Sequence, residues 1–193
     1  MARAGRRAPV SRRARTGVLI AVDGVDAAAL VADAKAALGA SAPATRGGIS
    51  RWDASGVFQD LAVAEVEAGA PSARTLLLLY AADLAFRLRW QIRPALAEGR
   101  TVVAAPYVET AMAFGRAAGL KSGWLVNLFR FAPRASDRRF VQGRRGHAVK
   151  DGFIGFGCAR IAGANGRTRR DIRHDTAALL RQAARRSATR LRS

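Results

Sequence analysis

Cysteine and histidine, which often serve as nucleophiles, general bases and metal ligands, are few in this sequence. It contains one cysteine, Cys158, and two histidines, His147 and His174. Cys158 lies in the apolar run 153–158, where a small buried side chain is a better interpretation than a catalytic thiol. The histidines stand in basic, polar segments without the spacing of metal ligands, which favours surface positions. A disulfide framework and a cysteine-based metal site within the chain are therefore excluded.

A strand–turn–helix unit near the start of the chain is the next feature that could form a functional site. Residues 16–22 form a continuous β-branched and aliphatic run, typical of a buried strand in a parallel sheet. The turn Asp23-Gly24-Val25-Asp26 follows. An alanine-rich helix is predicted over 27–38, closed by Gly39. Asp26 stands where a carboxylate caps the first turn of such a helix, so a structural role is available to it.

Strands and helices alternate along the rest of the chain. A loop is expected over 41–55. The pattern then predicts helices over 57–68, 72–97 with a kink or break at Pro94, 108–118, 123–131 and 176–191, and strands over 101–105, 139–141 and 152–161. This alternation predicts an α/β fold with a mainly parallel sheet flanked by helices.

Positive charge is concentrated in three segments. The formal net charge is +19, from 33 lysine and arginine and 14 aspartate and glutamate residues. Residues 1–15 hold six arginines and no acid, 134–150 hold six basic residues and one acid, and 166–193 hold nine arginines and two acids. The rest of the chain is close to neutral. The pattern is typical of polyanion attraction through the basic parts of a near-neutral body, and equally of a solvated surface.

Three segments, in this order, resemble the thymidylate kinase family of P-loop nucleoside monophosphate kinases. They are 18–26, 79–83 continued by Ile92-Arg93-Pro94-Ala95-Leu96 up to Gly99, and 102–110 extended to Gly119-Leu120. They are similar to the family's first strand with the opening of its phosphate loop, to a helix with an Ala-Ala-Asp core, and to the strand and helix around its Asp-Arg-Tyr motif. The resemblance covers about residues 17–131 and implies a three-layer P-loop NTPase-like fold.

The resemblance also implies a set of nucleotide-binding residues and a dTMP-like partner. The set is Gly24, Asp26, Arg46, Tyr80, Asp83, Tyr107 and Phe114. Tyr80 matches the aromatic position that stacks on thymine, and Phe114 an aromatic ring close to the sugar. Asp26 matches an aspartate near the phosphates. The alternative is that Tyr80, Tyr107 and Phe114 persist as core packing.

The phosphate loop itself departs from the family pattern. A working loop reads G-x-x-x-x-G-K-[ST], with a lysine on the terminal phosphates and a hydroxyl on Mg²⁺. Here Gly24 is kept, but Ala29 replaces the second glycine, Leu30 the lysine and Val31 the hydroxyl residue. The loss of one preorganised contact to a transition state typically costs about 3–4 kcal/mol. Ordinary turnover is not expected after two such losses.

Two further segments lose groups that handle phosphate. Ala105-Pro106 replaces the family's Asp-Arg pair before the tyrosine, and Leu84 replaces an arginine after Asp83. The sequence therefore predicts a thymidylate kinase-like protein that is catalytically inactive, with no catalytic residue and no metal site. No cofactor is predicted, and ATP with Mg²⁺ is expected only if activity is retained.

Two other functions stay open. One is a basic nucleic-acid-binding protein on the same fold, acting through the basic segments. The other is an active dTMP kinase in which other basic residues, such as Arg144 or Arg145, reach the phosphates. A homodimer is a further alternative, because relatives pair through helices.

The expected organisation is a disordered basic arm over 1–15, a thymidylate kinase-like domain over 16–165 with a divergent C-terminal third, and a basic C-terminal helix or tail over 166–193. No apolar run reaches the length of about 18 residues that a membrane span needs, so no membrane partner is expected. The single cysteine favours a reducing compartment, and a cytoplasmic location is predicted.

Overall fold

The computed structural model of the chain describes residues 17–41, 47–142 and 152–190. Within these ranges the strands are β1 (Val18–Gly24), β2 (Gly48–Arg51), β3 (Thr101–Ala105) and β4 (Asp137–Val141). They form one sheet in the order β2-β3-β1-β4, and each pairing is parallel. The predicted α/β fold with a parallel sheet is confirmed.

Helices cover both faces of this sheet. They are α1 (Ala27–Ala40), α2 (Val57–Ala68), α3 (Ala73–Arg87), α4 (Arg93–Ala97), α5 (Val108–Ala117), α6 (Ser122–Phe129), α7 (Phe153–Arg160) and α8 (Gly166–Arg190). None of these helices combines the length and apolarity that a membrane crossing requires. The predicted basic arm 1–15 lies outside the described residues.

The central strand β1 divides the core into two parts. Its side chains alternate between the two faces of the sheet, as the period of a strand dictates. Leu19 and Ala21 pack into the larger core with α3, α5 and α7, whereas Ile20 and Val22 pack with α1. Because both faces are covered, the strand reads as a continuous apolar run in the sequence.

The long helix predicted over 72–97 contains a π-helical turn ahead of Pro94. Helix α3 is followed by a π-helical turn over Leu88–Ile92, and α4 then carries Pro94 in its first turn. Proline cannot donate a hydrogen bond to the preceding turn, and a π-turn changes the helical register at that point. The irregularity therefore begins six residues ahead of the proline, and the chain stays helical through Pro94 itself.

The strand predicted over 152–161 is wrong, because this segment is helix α7. The buried side chains Phe153, Ile154 and Cys158 lie with Gly157 on one face of the helix. That face packs into the aromatic core, which a strand of the same sequence would not achieve, since it would turn alternate residues to solvent. Tertiary packing therefore decides the conformation here.

Three smaller boundaries also differ from the sequence-based expectation. Strand β2 lies inside the segment expected to be a loop over 41–55. Helix α1 runs on to Ala40 with Ser41 as its C-cap, so Gly39 is an interior residue. Helix α8 begins at Gly166, ten residues before the predicted start, because its first half also packs on the core through Ile172.

Candidate functional site

The segment 24–31, which the resemblance aligns with the family's phosphate loop, is helical from Ala27 onwards. Strand β1 ends at Gly24, and α1 begins at Ala27 after two connecting residues. The Asp26 side chain caps α1 by accepting a hydrogen bond from the Ala29 backbone N–H at 3.1 Å. The Leu30 N–H donates to the Asp26 carbonyl at 2.9 Å. Capping by aspartate and the high helix propensity of alanine explain why the helix starts so early.

Leu30 and Val31 replace the lysine and the hydroxyl residue of the phosphate-loop pattern, and they are buried or half-buried instead of facing an open loop. Leu30 is buried in the core between β1 and α1, together with Ile20, Val22 and Ala34. Val31 is half-buried. The Gly24 backbone amide is also engaged, because its N–H donates to the Thr110 hydroxyl at 3.1 Å. Leu30 and Val31 therefore add neither a cation nor a hydroxyl to this turn, and the Gly24 N–H is not free to join a phosphate cradle.

A buried carboxylate connects this turn to helix α5. Oδ1 of Asp23 accepts hydrogen bonds from the Tyr107 N–H at 3.0 Å, the Thr110 N–H at 2.9 Å and the Thr110 hydroxyl at 2.7 Å. The bonds satisfy amides at the start of α5, which lack partners within the helix. Burial raises the pKa of Asp23 to about 6, although the Thr110 bonds partly oppose the shift. Sequence reasoning missed Asp23; an acid at the end of an otherwise apolar strand is the signal that could have found it.

The raised pKa of Asp23 makes part of the stability depend on pH. Between 3.8, the ordinary pKa, and about 6, the folded state binds a proton more tightly than the unfolded chain does. The free energy of unfolding therefore falls as pH rises through that window. Asn at this position keeps the acceptor oxygen and has no charge. We expect Asp23→Asn to gain about 2–3 kcal/mol relative to wild type between pH 4 and pH 6.5, as measured by urea unfolding.

The exposed Asp60 on α2 provides the control for that experiment. Asp60→Asn removes the same charge from the surface of the protein. The prediction would be contradicted if the difference in free energy of unfolding between Asp23→Asn and wild type did not change from pH 4 to pH 6.5.

A second buried network holds α3 to the loop after β3. Arg87 and Asp83 form an ion pair, with 3.0 Å between Nε and Oδ2 and with both side chains fully buried. Nη1 of Arg87 donates to the Pro106 carbonyl at 3.0 Å. Asp83 also accepts hydrogen bonds from the backbone N–H groups of Asp53 and Ser55, at 3.2 and 3.1 Å. Asp83, predicted as a nucleotide ligand, thus organises the polypeptide around it.

Arg87 was not among the residues selected from the sequence. Its spacing of four residues from Asp83 on one helix was a usable signal, since such pairs face each other. The charge argued for a surface position, and the structure buries it instead.

The predicted aromatic residues lie together, and a ring from α7 lies against them. Tyr80 and Phe114 are fully buried. The Phe153 ring centroid is 4.5 Å from that of Tyr80 and 5.2 Å from that of Phe114. A Cβ added at Gly157 would approach Phe114 to 2.9 Å, so α7 packs directly on that ring. The space beside the rings predicted to hold a base is therefore occupied by the chain's own helix.

Both tyrosines of this region also make structural hydrogen bonds. The Tyr80 hydroxyl donates to the Tyr107 carbonyl at 2.6 Å, and the Tyr107 hydroxyl donates to the Pro133 carbonyl at 2.8 Å. Burial raises the pKa of Tyr107 to about 12 and raises the pKa of Tyr80 further. Burial also raises the pKa of Cys158 to about 11, in keeping with its predicted role as a small buried side chain.

The predicted site residues do not share one cavity. Asp26 lines an open cleft of about 430 Å³ between the start of α1, the end of β4 and α8. Tyr80, Asp83 and Phe114 are in the core and do not line that cleft. Arg46 lies outside the described residues, as do Arg144 and Arg145. Among the described side chains, no group of three or more His, Cys, Asp or Glu could hold a metal ion.

Two curated proteins that are similar to part of this chain are described as probable thymidylate kinases. A Pyrococcus horikoshii protein described as "Probable thymidylate kinase" is 42% identical over 57 residues, which make up 30% of this chain and 28% of the relative. A Thermococcus gammatolerans protein with the same description is 42% identical over 57 residues, 30% of this chain and 27% of the relative. The match thus spans little more than a quarter of the length of these curated relatives.

The comparison with solved structures gives a similar fold. The crystal structure of thymidylate kinase from Ehrlichia chaffeensis superposes with a TM-score of 0.54 at 13% identity, over 65% of this chain and 71% of that one. No family model matches the chain. The chain is therefore thymidylate kinase-like, related to those proteins in sequence over part of its length and similar to them in fold.

Proposed function

We propose that this chain is a thymidylate kinase-like protein that does not transfer phosphate. The observation that carries the proposal is the early start of α1, which makes the phosphate-loop positions helical. Leu30, in the place of the loop lysine, is buried between α1 and the sheet. Phosphoryl transfer depends on positioned cations and amides with little covalent help from the protein. Leu30 and Val31 supply neither a cation nor a hydroxyl.

The residues at the phosphate-loop positions 24, 29 and 31 do not offer ATP and Mg²⁺ the groups that the loop pattern requires. The Gly24 N–H is engaged by Thr110, and the Ala29 N–H by Asp26. The valine at position 31 offers no hydroxyl to a metal ion. No step of a reaction is therefore assigned to ATP or Mg²⁺ here.

Residual binding of a dTMP-like nucleotide forms the second part of the proposal. Tyr80 and Phe114 are its proposed contacts with the base, whereas Asp26 lines a separate cleft. Since Phe153 packs against both Tyr80 and Phe114, a base can reach these rings only if α7 moves away. The cost of exposing this aromatic face makes tight binding unfavourable, and we propose that dTMP binds weakly or only to an opened form.

A coupled assay with dTMP and ATP–Mg²⁺ tests the absence of turnover. We expect no rate above that of a mock preparation. Calorimetry with dTMP and ATP–Mg²⁺, titrated separately, is expected to show no binding tighter than about 1 mM for either ligand.

The same assay tests the alternative of an active kinase with relocated cations. Turnover that is present in wild type and lost in Arg144→Ala/Arg145→Ala would contradict our proposal and support that alternative. Turnover that this double variant keeps would also contradict the proposal, and would place the catalytic cations elsewhere. The nucleic-acid-binding alternative depends on the basic segments, of which residues 134–142 and helix α8 are described.

A further inference from the structure

The side of α8 that faces away from the core carries a row of arginines. Arg167, Arg170, Arg181 and Arg185 recur at spacings that place them along one side of the helix, with His174 among them, and all are exposed. The core-facing residues of α8, such as Ile172, Thr176 and Leu180, are buried on the other side. With a rise of about 1.5 Å per residue, the four arginines span about 27 Å. We refer to these four residues as the arginine row.

The charges of the arginine row are not neutralised within the described part of the chain. None of the four arginines lies within ion-pair distance of a described carboxylate. The nearby Asp175 instead lies 3.5 Å from His174. Helix α8 as a whole carries eight arginines and two aspartates. The guanidinium groups of the arginine row are thus available to anions outside the chain, and they match phosphate oxygens well.

A second helix extends this positive surface. A cleft of about 550 Å³ runs between α5 and α8, and three arginines and one acid line it, namely Arg116 of α5 and Arg181, Arg185 and Asp175 of α8. Arg116 is exposed. Positive charge from two packed helices therefore converges on one side of the protein, which a single solvated helix would not produce.

We propose that the arginine row, with Arg116 beside it, binds the phosphate backbone of double-stranded nucleic acid. A duplex presents one negative charge per about 1.7 Å of its axis, so a row of this length faces many phosphates. Neither α8 nor the cleft beside it contains phenylalanine, tyrosine or tryptophan, on which the bases of a single strand would stack. Contacts limited to the backbone position a protein without reading sequence. This proposal does not depend on whether the chain transfers phosphate.

Fluorescence anisotropy with the full chain tests the proposal. The probes are two labelled DNA duplexes of about 20 base pairs with unrelated sequences, titrated at about 50 to 200 mM salt. Wild type is expected to bind both equally. The variant Arg167→Gln/Arg170→Gln/Arg181→Gln/Arg185→Gln should bind at least about tenfold more weakly at 100 mM salt. Its slope of log K against log salt should be smaller by about 3 to 4 units.

Two further variants separate this surface from charge in general. The control variant removes the same charge from four exposed positions outside α8 and its clefts, and is Arg51→Gln/Arg89→Gln/Arg93→Gln/Arg130→Gln. It should bind the two duplexes more tightly than the α8 variant does. Lysine at the four row positions should preserve the salt slope. The proposal is overturned if the α8 and control variants bind alike, or if wild type fails to bind at the lowest salt. Binding to phosphatidylserine vesicles without binding to either duplex would overturn it as well.

Discussion

Replacing Arg87 with methionine is expected to lower the free energy of unfolding by about 3–5 kcal/mol. Methionine is similar in length, so the change removes the charge and the hydrogen bond to the Pro106 carbonyl and leaves the packing largely in place. Asp83 then remains as a buried carboxylate without its cation, since its ion pair with Arg87 is fully enclosed. Urea unfolding followed by circular dichroism measures the loss.

The reason for so large an effect is desolvation. An isolated charge in the core costs far more than a charge in water, whereas a paired charge with good hydrogen bonds is tolerated. The double variant Asp83→Asn/Arg87→Met has no unpaired charge, and Asn keeps an oxygen for the Ser55 N–H. We therefore expect the double variant to be more stable than the sum of the two single changes predicts.

An exposed ion pair of the same kind serves as the control. Arg100 donates to Glu98 at 2.8 Å, but their side chains are 39% and 61% exposed. Arg100→Met should cost at most about 1 kcal/mol, as exposed pairs usually do. Equal losses for Arg87→Met and Arg100→Met would contradict the role assigned to the buried pair.

Phe153→Ala is expected to cost about 3–5 kcal/mol and to leave a cavity beside Tyr80 and Phe114. The Phe153 ring is 1% exposed, and it also lies 5.8 Å from the Phe58 ring centroid. Because the surrounding rings belong to several packed helices, they cannot fully collapse into the vacated space. A cavity lined by aromatic side chains stays dry and accepts a small apolar molecule. Benzene should therefore raise the melting temperature of Phe153→Ala and leave that of wild type unchanged.

Phe86→Ala on α3 is the matched control, because that ring is 38% exposed. Its expected cost is below about 1 kcal/mol. A Phe153→Ala variant as stable as Phe86→Ala, or one insensitive to benzene, would contradict the packing role of α7. Thymidine that binds Phe153→Ala but not wild type would support a base site retained beneath this helix.

The local elements follow from the sequence where periodicity is strong. The apolar run of β1, the strand at 101–105 and helix α2 over 57–68 all appear where the pattern places them. The cap at Asp26 was also predictable, because it needs only a carboxylate at the start of an alanine-rich helix. In each case neighbouring residues supply the decisive interaction.

Other parts depend on residues that are far apart in the chain. Strand β2 lies in a glycine- and serine-rich segment and exists through its pairing with β3. The apolar run 153–158 suits a strand or a helix, and α7 forms because one of its faces completes the aromatic core. Propensity alone could not choose between the two.

The sequence by itself predicted the α/β fold, the resemblance to thymidylate kinases and the loss, at Leu30 and Val31, of the side chains that a phosphate loop uses. Only the tertiary structure decided what replaced them. It placed Leu30 in the core, paired Asp83 with Arg87, and set Phe153 against Tyr80 and Phe114. The physical reason is that the burial of a side chain depends on residues that are distant in the sequence. A charged group or an aromatic ring has a structural role where such residues exclude water from it, and can bind a ligand where they leave it accessible.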